Sequence, residues 1–220
     1  MSTQTFRATA VLTAAGLLLG GCGQDTQPTG SGDARGVPME ASATEPVGVG
    51  MDLPDVRVHN AQGDPVNLQE MVRSKPTVLV WYRGRWCKYC RRYLAQVQEI
   101  VRELESRGYQ VAGISPDRPS ELVKTAHQEG LTFTLLSDSR GNAMRGAGLA
   151  WRVDKAGRNR LAGYGINLEA ASGYSHHQLP VPSVYITGPD GLIDFAHVDP
   201  DYEQRLSNQK ILQAIGAGSN

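Results

Sequence analysis

The stretch from Val78 to Arg92, VLVWYRGRWCKYCRR, constrains this chain more than any other: an apolar run, a short basic loop, then two cysteines three positions apart. Val78, Leu79, Val80 and Trp81 are continuously apolar, which predicts a strand buried on both faces. Gly84 breaks that run. Beyond Cys90 the apolar positions fall at Leu94, Val97, Val101 and Leu104, with Tyr93 and Ile100 beside them, the three-or-four spacing of a helix with one buried face. Cys87 and Cys90 therefore sit where a buried strand turns into a helix. A thiol in a first helical turn faces unpaired backbone N–H groups and the positive end of the helix dipole, and both favour its thiolate. Arg83, Arg85, Lys88, Arg91 and Arg92 add five cationic side chains around the pair. Such surroundings lower a cysteine pKa from about 8.5 toward ~3.5–7.5, where the attacking thiolate exists at neutral pH.

Zinc is the main competing use of a Cys-x-x-Cys pair. Tetrahedral zinc wants four ligands, and the chain holds no second cysteine pair, although His59, His127, His176, His177 and His197 carry nitrogen. No metal and no cofactor are expected. Haem attachment needs His directly after the second cysteine, and Arg91 stands there. The formal net charge of zero argues against a nucleic-acid partner.

The third cysteine belongs to a different device. Arg7 is the only charge in the first 24 residues, residues 8–19 are almost wholly apolar or small, and Leu19-Gly20-Gly21-Cys22 closes the run. The apolar stretch is too short to span a membrane, so residues 1–21 read as a signal peptide. The closing motif resembles bacterial lipoprotein cleavage sites, which implies a lipid on Cys22, anchorage in the cell envelope and, with Gly23 next, the outer membrane. Residues 22–50 are rich in Gly, Ser, Thr, Pro and Ala and read as a flexible tether, leaving residues 51–217 as one domain. With Cys22 lipidated, Cys87 and Cys90 remain as a pair. A two-residue gap gains little from loop closure, so a bond between them suits a disulfide made and broken in use.

The remaining chain alternates strands and helices. Asp55 to His59 and Val66 to Leu68 flank the turn Gln62-Gly63-Asp64-Pro65 as a hairpin, and a short helix follows at Leu68 to Val72. Strands are predicted at Tyr109 to Ile114 and Phe133 to Leu136. Helices are predicted at Glu121 to Gln128, capped by Ser120 and stopped by Gly130, and at Asn142 to Ala147. Residues 152–178, with the pair His176-His177, read as a long loop of little periodicity; the histidines either supply a proton near neutral pH or have no chemical role. Ser183 to Thr187 and Leu192 to His197 pair across a Gly-Pro-Asp-Gly turn, and Ile211, Leu212 and Ile215 mark a closing helix. The alternation implies parallel crossovers and an α/β sheet.

WYRGRWCKYC, ISPD, the LSD ending at Asp138, LPVPSVYIT and FAHVDPDYEQRL, in that order, resemble the peroxiredoxin-like branch of the alkyl hydroperoxide reductase and thiol-specific antioxidant (AhpC/TSA) family. The resemblance implies a thioredoxin-like fold: a central mixed sheet flanked by helices, here with an N-terminal hairpin extension. It also implies that Val181, before a cis-Pro182, positions substrate beside the cysteines together with Trp86, while the charges of Arg83, Arg85 and Lys88 are expected to stabilise the thiolate. Peroxiredoxins hold their peroxide-reducing cysteine in a Pro-x-x-x-Thr-x-x-Cys frame and assist it with an arginine on a later strand. Aligning that cysteine with Cys90 puts Arg83, Cys87 and Pro182 at the proline, threonine and arginine positions, so all three supports are missing. In a thioredoxin frame Cys87 is the exposed attacking thiol and Cys90 the buried resolving thiol. The expected function is thiol–disulfide oxidoreduction of a peroxide or a partner disulfide, sustained by a dithiol reductant protein. The alternative is a non-catalytic lipoprotein that senses redox state or holds metal.

Overall fold

The computed structural model describes residues 36–217, so the signal peptide, Cys22 and the tether up to residue 35 lie outside the described residues. In chain order the elements are β1 (Arg57–His59), β2 (Pro65–Asn67), α1 (Leu68–Ser74), β3 (Thr77–Trp81), α2 (Lys88–Ser106), β4 (Gln110–Ser115), α3 (Pro119–Glu129), β5 (Thr134–Ser137), α4 (Asn142–Gly146), β6 (Ala150–Arg152), α5 (Lys155–Gly163), α6 (Leu168–Ser172), β7 (Gln178–Pro180), β8 (Ser183–Thr187), β9 (Ile193–Val198) and α7 (Asn208–Ala217). The main sheet has the order β2-β1-β5-β4-β3-β8-β9, and β6 pairs with β7 in a separate ribbon. β3, β4 and β5 run parallel, linked by the helical crossovers α2 and α3, while β8 lies antiparallel to β3 and β9 to β8. The sheet is thus mixed, with the predicted hairpin β1–β2 antiparallel at one edge.

β3 is central and buried at all five positions, as its unbroken apolar run demands. Its side chains alternate between two cores. Val78 and Val80, with Tyr82 just beyond, join Leu94, Val97, Val101 and Leu104 of α2, Leu122 of α3 and Ile211 and Ile215 of α7. Leu79 and Trp81 join Leu68 and Val72 of α1, Ala143 and Met144 of α4, and Ile114 and Leu136. Cys87 and Cys90 belong to the first core. Helices cover both faces, and the cysteine pair sits above the end of the most deeply buried strand.

Three expectations differ from the structure. Residues 36–50 are not tether: Arg152 N–H donates to Pro38 O at 2.8 Å, Val47 N–H to Ala147 O at 3.0 Å, and Gly50 N–H to Ile193 O at 2.8 Å. Val37, Ala41 and Val47 pack on the second core, a use of scattered apolar residues that leaves no periodic trace. Residues 152–178 are not a structureless loop, since they hold α5 and α6. Asp154 caps α5 by accepting from Gly157 N–H at 2.7 Å, and Asn167 caps α6 by accepting from Ala170 N–H at 2.9 Å. Both helices are short; Val153, Leu168 and Leu179 form a satellite core against Trp86, Leu161 and Ile166. Ser120 is not the cap of α3. Arg118 occupies that position without a side-chain bond, and Pro119 begins the helix, where its missing N–H removes one of the donors a cap would satisfy. Gly130 does stop α3, at φ 62°.

Candidate active site

Cys87 is the N-cap of α2, and its sulfur accepts from Cys90 N–H at 3.3 Å. Cys90 takes the helix face of Leu94, Val97, Val101 and Leu104, all buried. The two sulfurs are joined as a disulfide, with Cα atoms 5.3 Å apart. Cys87 is 5% exposed and Cys90 0%, so the expected contrast between an exposed and a buried thiol is small. Cys87 is tucked in because the β3–α2 loop folds over it: Cys87 N–H donates to Gly84 O at 3.1 Å, and Gly84 at φ 141° is pressed against Trp86 and Asp117.

Asp117, just past β4, ties that loop down by accepting from Arg85 N–H at 2.6 Å. Burial pushes its carboxyl up to about 7, against the opposing effect of the Arg85 and Ser115 hydrogen bonds. Arg85 pairs with Glu121 at 2.6 Å, while Lys124 reaches the same carboxylate at 2.7 Å. Burial alone would raise the Glu121 pKa, but the hydrogen bonds from Lys124 and Arg85 prevail and lower it. Arg83 is a buried cation whose guanidinium lies 4.9 Å from the Trp86 ring centroid and 4.0 Å from that of Tyr202, and burial lowers its pKa. The Lys88 ammonium lies 5.2 Å from the Tyr89 ring centroid. The three cations expected to stabilise a thiolate are thus engaged with Glu121 or with aromatic rings.

The cation that reaches a sulfur is one that no sequence motif around the cysteines contains. Arg205, between β9 and α7, places Nη2 3.5 Å from Cys90 Sγ and its guanidinium 5.6 Å from the Tyr93 ring centroid. It lies inside the FAHVDPDYEQRL motif but 115 residues from Cys90, and no local pattern signals such a contact. Asp117 lies inside ISPD, and nothing in that tetrapeptide signals its role either.

Val181 and Pro182 lead into β8; Val181 packs in the second core, and Pro182 lines a small cavity with Tyr93 and Arg205. Val181 is fully buried, its N–H donating to Leu149 O at 2.9 Å, and Pro182 O accepts from Asp199 N–H at 3.2 Å. No cis peptide bond occurs among the described residues, so the bond before Pro182 is trans rather than cis as the resemblance implies. Trp86 lines a small pocket with Arg83, Asp117 and His176. The two histidines serve the local chain. Gln178 N–H donates to His176 Nδ1 at 2.9 Å, so the ring proton is on Nε2 and donates to Ser139 O at 2.9 Å. Burial lowers the His176 pKa, which keeps this neutral tautomer. His177 adopts φ 52° and contacts Glu169 through Nε2 at 2.6 Å. No group of three or more His, Cys, Asp or Glu is placed to hold a metal ion among the described residues.

A buried dithiol pair at a helix N-terminus, with a cation at one sulfur, is equipped for two-electron oxidation to the disulfide and return. The chain is similar to known proteins. The chain is 32% identical over 93 residues to a putative peroxiredoxin of Haemophilus influenzae, a match covering 42% of this chain and 59% of that protein. It is 30% identical over 93 residues to peroxiredoxin Bcp of Escherichia coli, covering 42% and 59% respectively. It is 25% identical over 118 residues to the thiol-disulfide oxidoreductase ResA of Geobacillus thermodenitrificans, covering 51% and 67%. The matched stretch thus spans about three-fifths of the peroxiredoxins' length. Among solved structures, the reduced Prx3 of Vibrio vulnificus in complex with hydrogen peroxide aligns with TM-score 0.64 at 15% identity, over 78% of this chain and 98% of that one. Peroxidoxin BcpB of Mycobacterium tuberculosis aligns with TM-score 0.59 at 17% identity, over 79% and 99%. These structural likenesses establish the thioredoxin-like fold. A family model described as AhpC/TSA matches residues 49–196, from the approach to β1 through most of β9, and on that match the chain belongs to the AhpC/TSA family.

Proposed function

We propose that this chain is a dithiol peroxidase of the cell envelope, in which Cys87 and Cys90 cycle between the reduced pair and the disulfide. The observation that carries this reading is the bonded sulfur pair at the start of α2. One thiolate attacks a peroxide oxygen: an S–O bond forms, the O–O bond breaks, and the departing oxygen leaves as water or an alcohol after taking a proton. The other sulfur then displaces hydroxide from the sulfenic acid and closes the S–S bond. A dithiol reductant protein restores the pair through a mixed disulfide. Cys87, the sulfur with residual exposure, is the one such a reductant reaches. A lipid on Cys22 holds the protein at the membrane in this reading.

Turnover decides the matter. The protein is mixed with hydrogen peroxide or a model disulfide and an excess of a small dithiol, and peroxide loss or thiol release is followed over many equivalents. Repeated peroxide turnover supports the peroxidase. Turnover of the disulfide alone moves the activity to thiol–disulfide exchange, the activity named for the ResA relative. One equivalent consumed and then no further reaction makes the pair a redox sensor.

A further inference from the structure

The formal net charge of zero conceals an uneven distribution. Between Arg140 and Gln178 six arginines and lysines stand against two acidic residues, Asp154 and Glu169, so the rest of the chain carries the balancing negative charge. Four of the six cations gather where β6 leads into α5: Arg152, Lys155, Arg158 and Arg160. Gly157 is buried and Leu161 packs on the satellite core, so α5 turns its charged side outward, with Arg152, Lys155 and Arg160 exposed and Arg158 half-buried. Arg145 and Arg152 both lie near enough to His176 to disfavour its protonation. Arg140 donates through Nε to the Tyr174 hydroxyl, and the Tyr174 ring stacks on His176. Of the two acids, Asp154 caps α5 and Glu169 contacts His177. None of the six cations has a carboxylate as ion-pair partner among the described residues. Two exposed side chains of another kind flank them. Tyr164, at the end of α5, is 83% exposed, and Met39, with Glu40 next to it, is 52% exposed beside Pro38, whose carbonyl accepts from Arg152 N–H.

We propose that this face, with Arg152, Lys155, Arg158, Arg160 and Tyr164, lies on the anionic phospholipid headgroups of the membrane that holds Cys22. The inference rests on the reading of Cys22 as lipidated and adds to it the surface by which the domain is oriented. Headgroup phosphates supply the negative charge that these cations lack within the chain, and a tyrosine ring settles at headgroup level, its hydroxyl towards water. The chain leading from Cys22 also enters the domain at this face, since Pro38, which bonds Arg152, is sixteen residues on from Cys22. A span of at most about 55 Å keeps the domain close to the bilayer, so contacts too weak to hold a free protein suffice to orient a tethered one. Each Lys or Arg near an anionic surface strengthens attachment about fivefold, and the effect fades within a Debye length, so the cations nearest the headgroups decide which side of the domain faces them.

The test uses the protein as isolated from cells, its intact mass recording whether Cys22 carries lipid. It is combined with vesicles of phosphatidylcholine alone or of equal parts phosphatidylcholine and phosphatidylglycerol. A water-soluble acylating reagent then modifies the lysines, and mass spectrometry reads the rate at each. Lys155 should react about fivefold more slowly on the anionic vesicles, while the exposed Lys75, ahead of β3, keeps its rate. Salt at about 1 M should remove the difference. The double variant Arg152→Gln, Arg160→Gln should also remove it and Tyr164→Ser should reduce it, with circular dichroism and thiol reactivity unchanged in both. Lys155 rates equal on the two kinds of vesicle overturn the proposal, and a protein partner for this face would show in that way. Slowing that persists in the double variant, or that is matched at Lys75, overturns it as well. Failure of the lipid reading shows separately, as an unmodified N-terminus in the intact mass; the same Lys155 rates, with vesicles in excess, then judge the face for the unanchored protein.

Discussion

Replacing Asp117 by asparagine should make the protein more stable in mild alkali, the reverse of what losing a buried carboxylate usually does. Asp117 is 1% exposed, and burial pushes its pKa from 3.8 to about 7. Between those values the folded protein binds a proton that the unfolded chain has released. Unfolding is therefore favoured as pH rises, and the loss of stability is complete once the folded-state group has ionised near 7. From about pH 5 to about pH 7 the folded group stays largely protonated, and each pH step of about 1 costs about 1.4 kcal/mol, so the wild type should lose about 3 kcal/mol over that interval. An asparagine side chain keeps an acceptor oxygen for Arg85 N–H and carries no charge, so in Asp117→Asn this loss should vanish. The carboxyl of Asp138, pushed by burial up to about 6, contributes a slope of the same sign to both proteins and cancels in the difference. The assay is urea unfolding of oxidised wild type and Asp117→Asn at about pH 5 and about pH 8. The advantage of the variant should grow by about 3 kcal/mol between the two. An advantage that stays constant, or a wild type that gains on the variant as pH rises, would refute the claim that Asp117 is held protonated beneath the cysteine loop.

Gly84→Ala should cost about 1–3 kcal/mol, because φ 141° is strained for any side chain and the new methyl would meet Trp86 Nε1 at 2.7 Å and Asp117 Oδ1 at 2.8 Å. Thermal unfolding measures it, and a change in melting temperature within error refutes it. Leu94→Ala removes a fully buried side chain one turn below Cys90 and should cost about 2–5 kcal/mol in a denaturant titration. Cys22→Ser should move the protein from the membrane to the soluble fraction without changing thiol reactivity; wild-type protein that is already soluble with an unmodified N-terminus ends the lipoprotein reading.

What the sequence made legible was whatever repeats locally. The run from Val78 to Trp81 and the face of Leu94, Val97, Val101 and Leu104 each carry their period within one element, so β3, α2 and the seat of the cysteines between them can be read directly. The partners of the charges around the pair could not be read, because a basic residue near a thiol in sequence has other groups within reach. Arg85 turns to Glu121, 36 residues on, and Arg83 is taken up by Trp86 and Tyr202. Arg205 reaches Cys90 only because β9 returns the chain past Pro182, and that route is a property of the assembled sheet. The segment 36–50 is illegible for a related reason: its attachment is by backbone hydrogen bonds and isolated Val37, Ala41 and Val47, none of which forms a period.

The segment carrying Arg205 is held by unusual means. Its own amides are satisfied largely within the segment, Asp201 N–H by Asp199 and Glu203 N–H by Asp201. Its attachments to the body include Asp199 N–H on Pro182 O, Tyr202 against Arg83 and Tyr89, Glu203 bonded to the Tyr89 hydroxyl, and Arg205 itself. Each ring contact is worth about 0.5–2 kcal/mol, far less than unfolding the domain. Residues 199–205 should therefore open locally at lower free energy than the core, and their amides should exchange with solvent well before those of β3. Displacing this segment would also withdraw the Arg205 guanidinium from Cys90. Removing the Tyr202 ring should therefore speed amide exchange across residues 199–205 and the reactivity of Cys90 together.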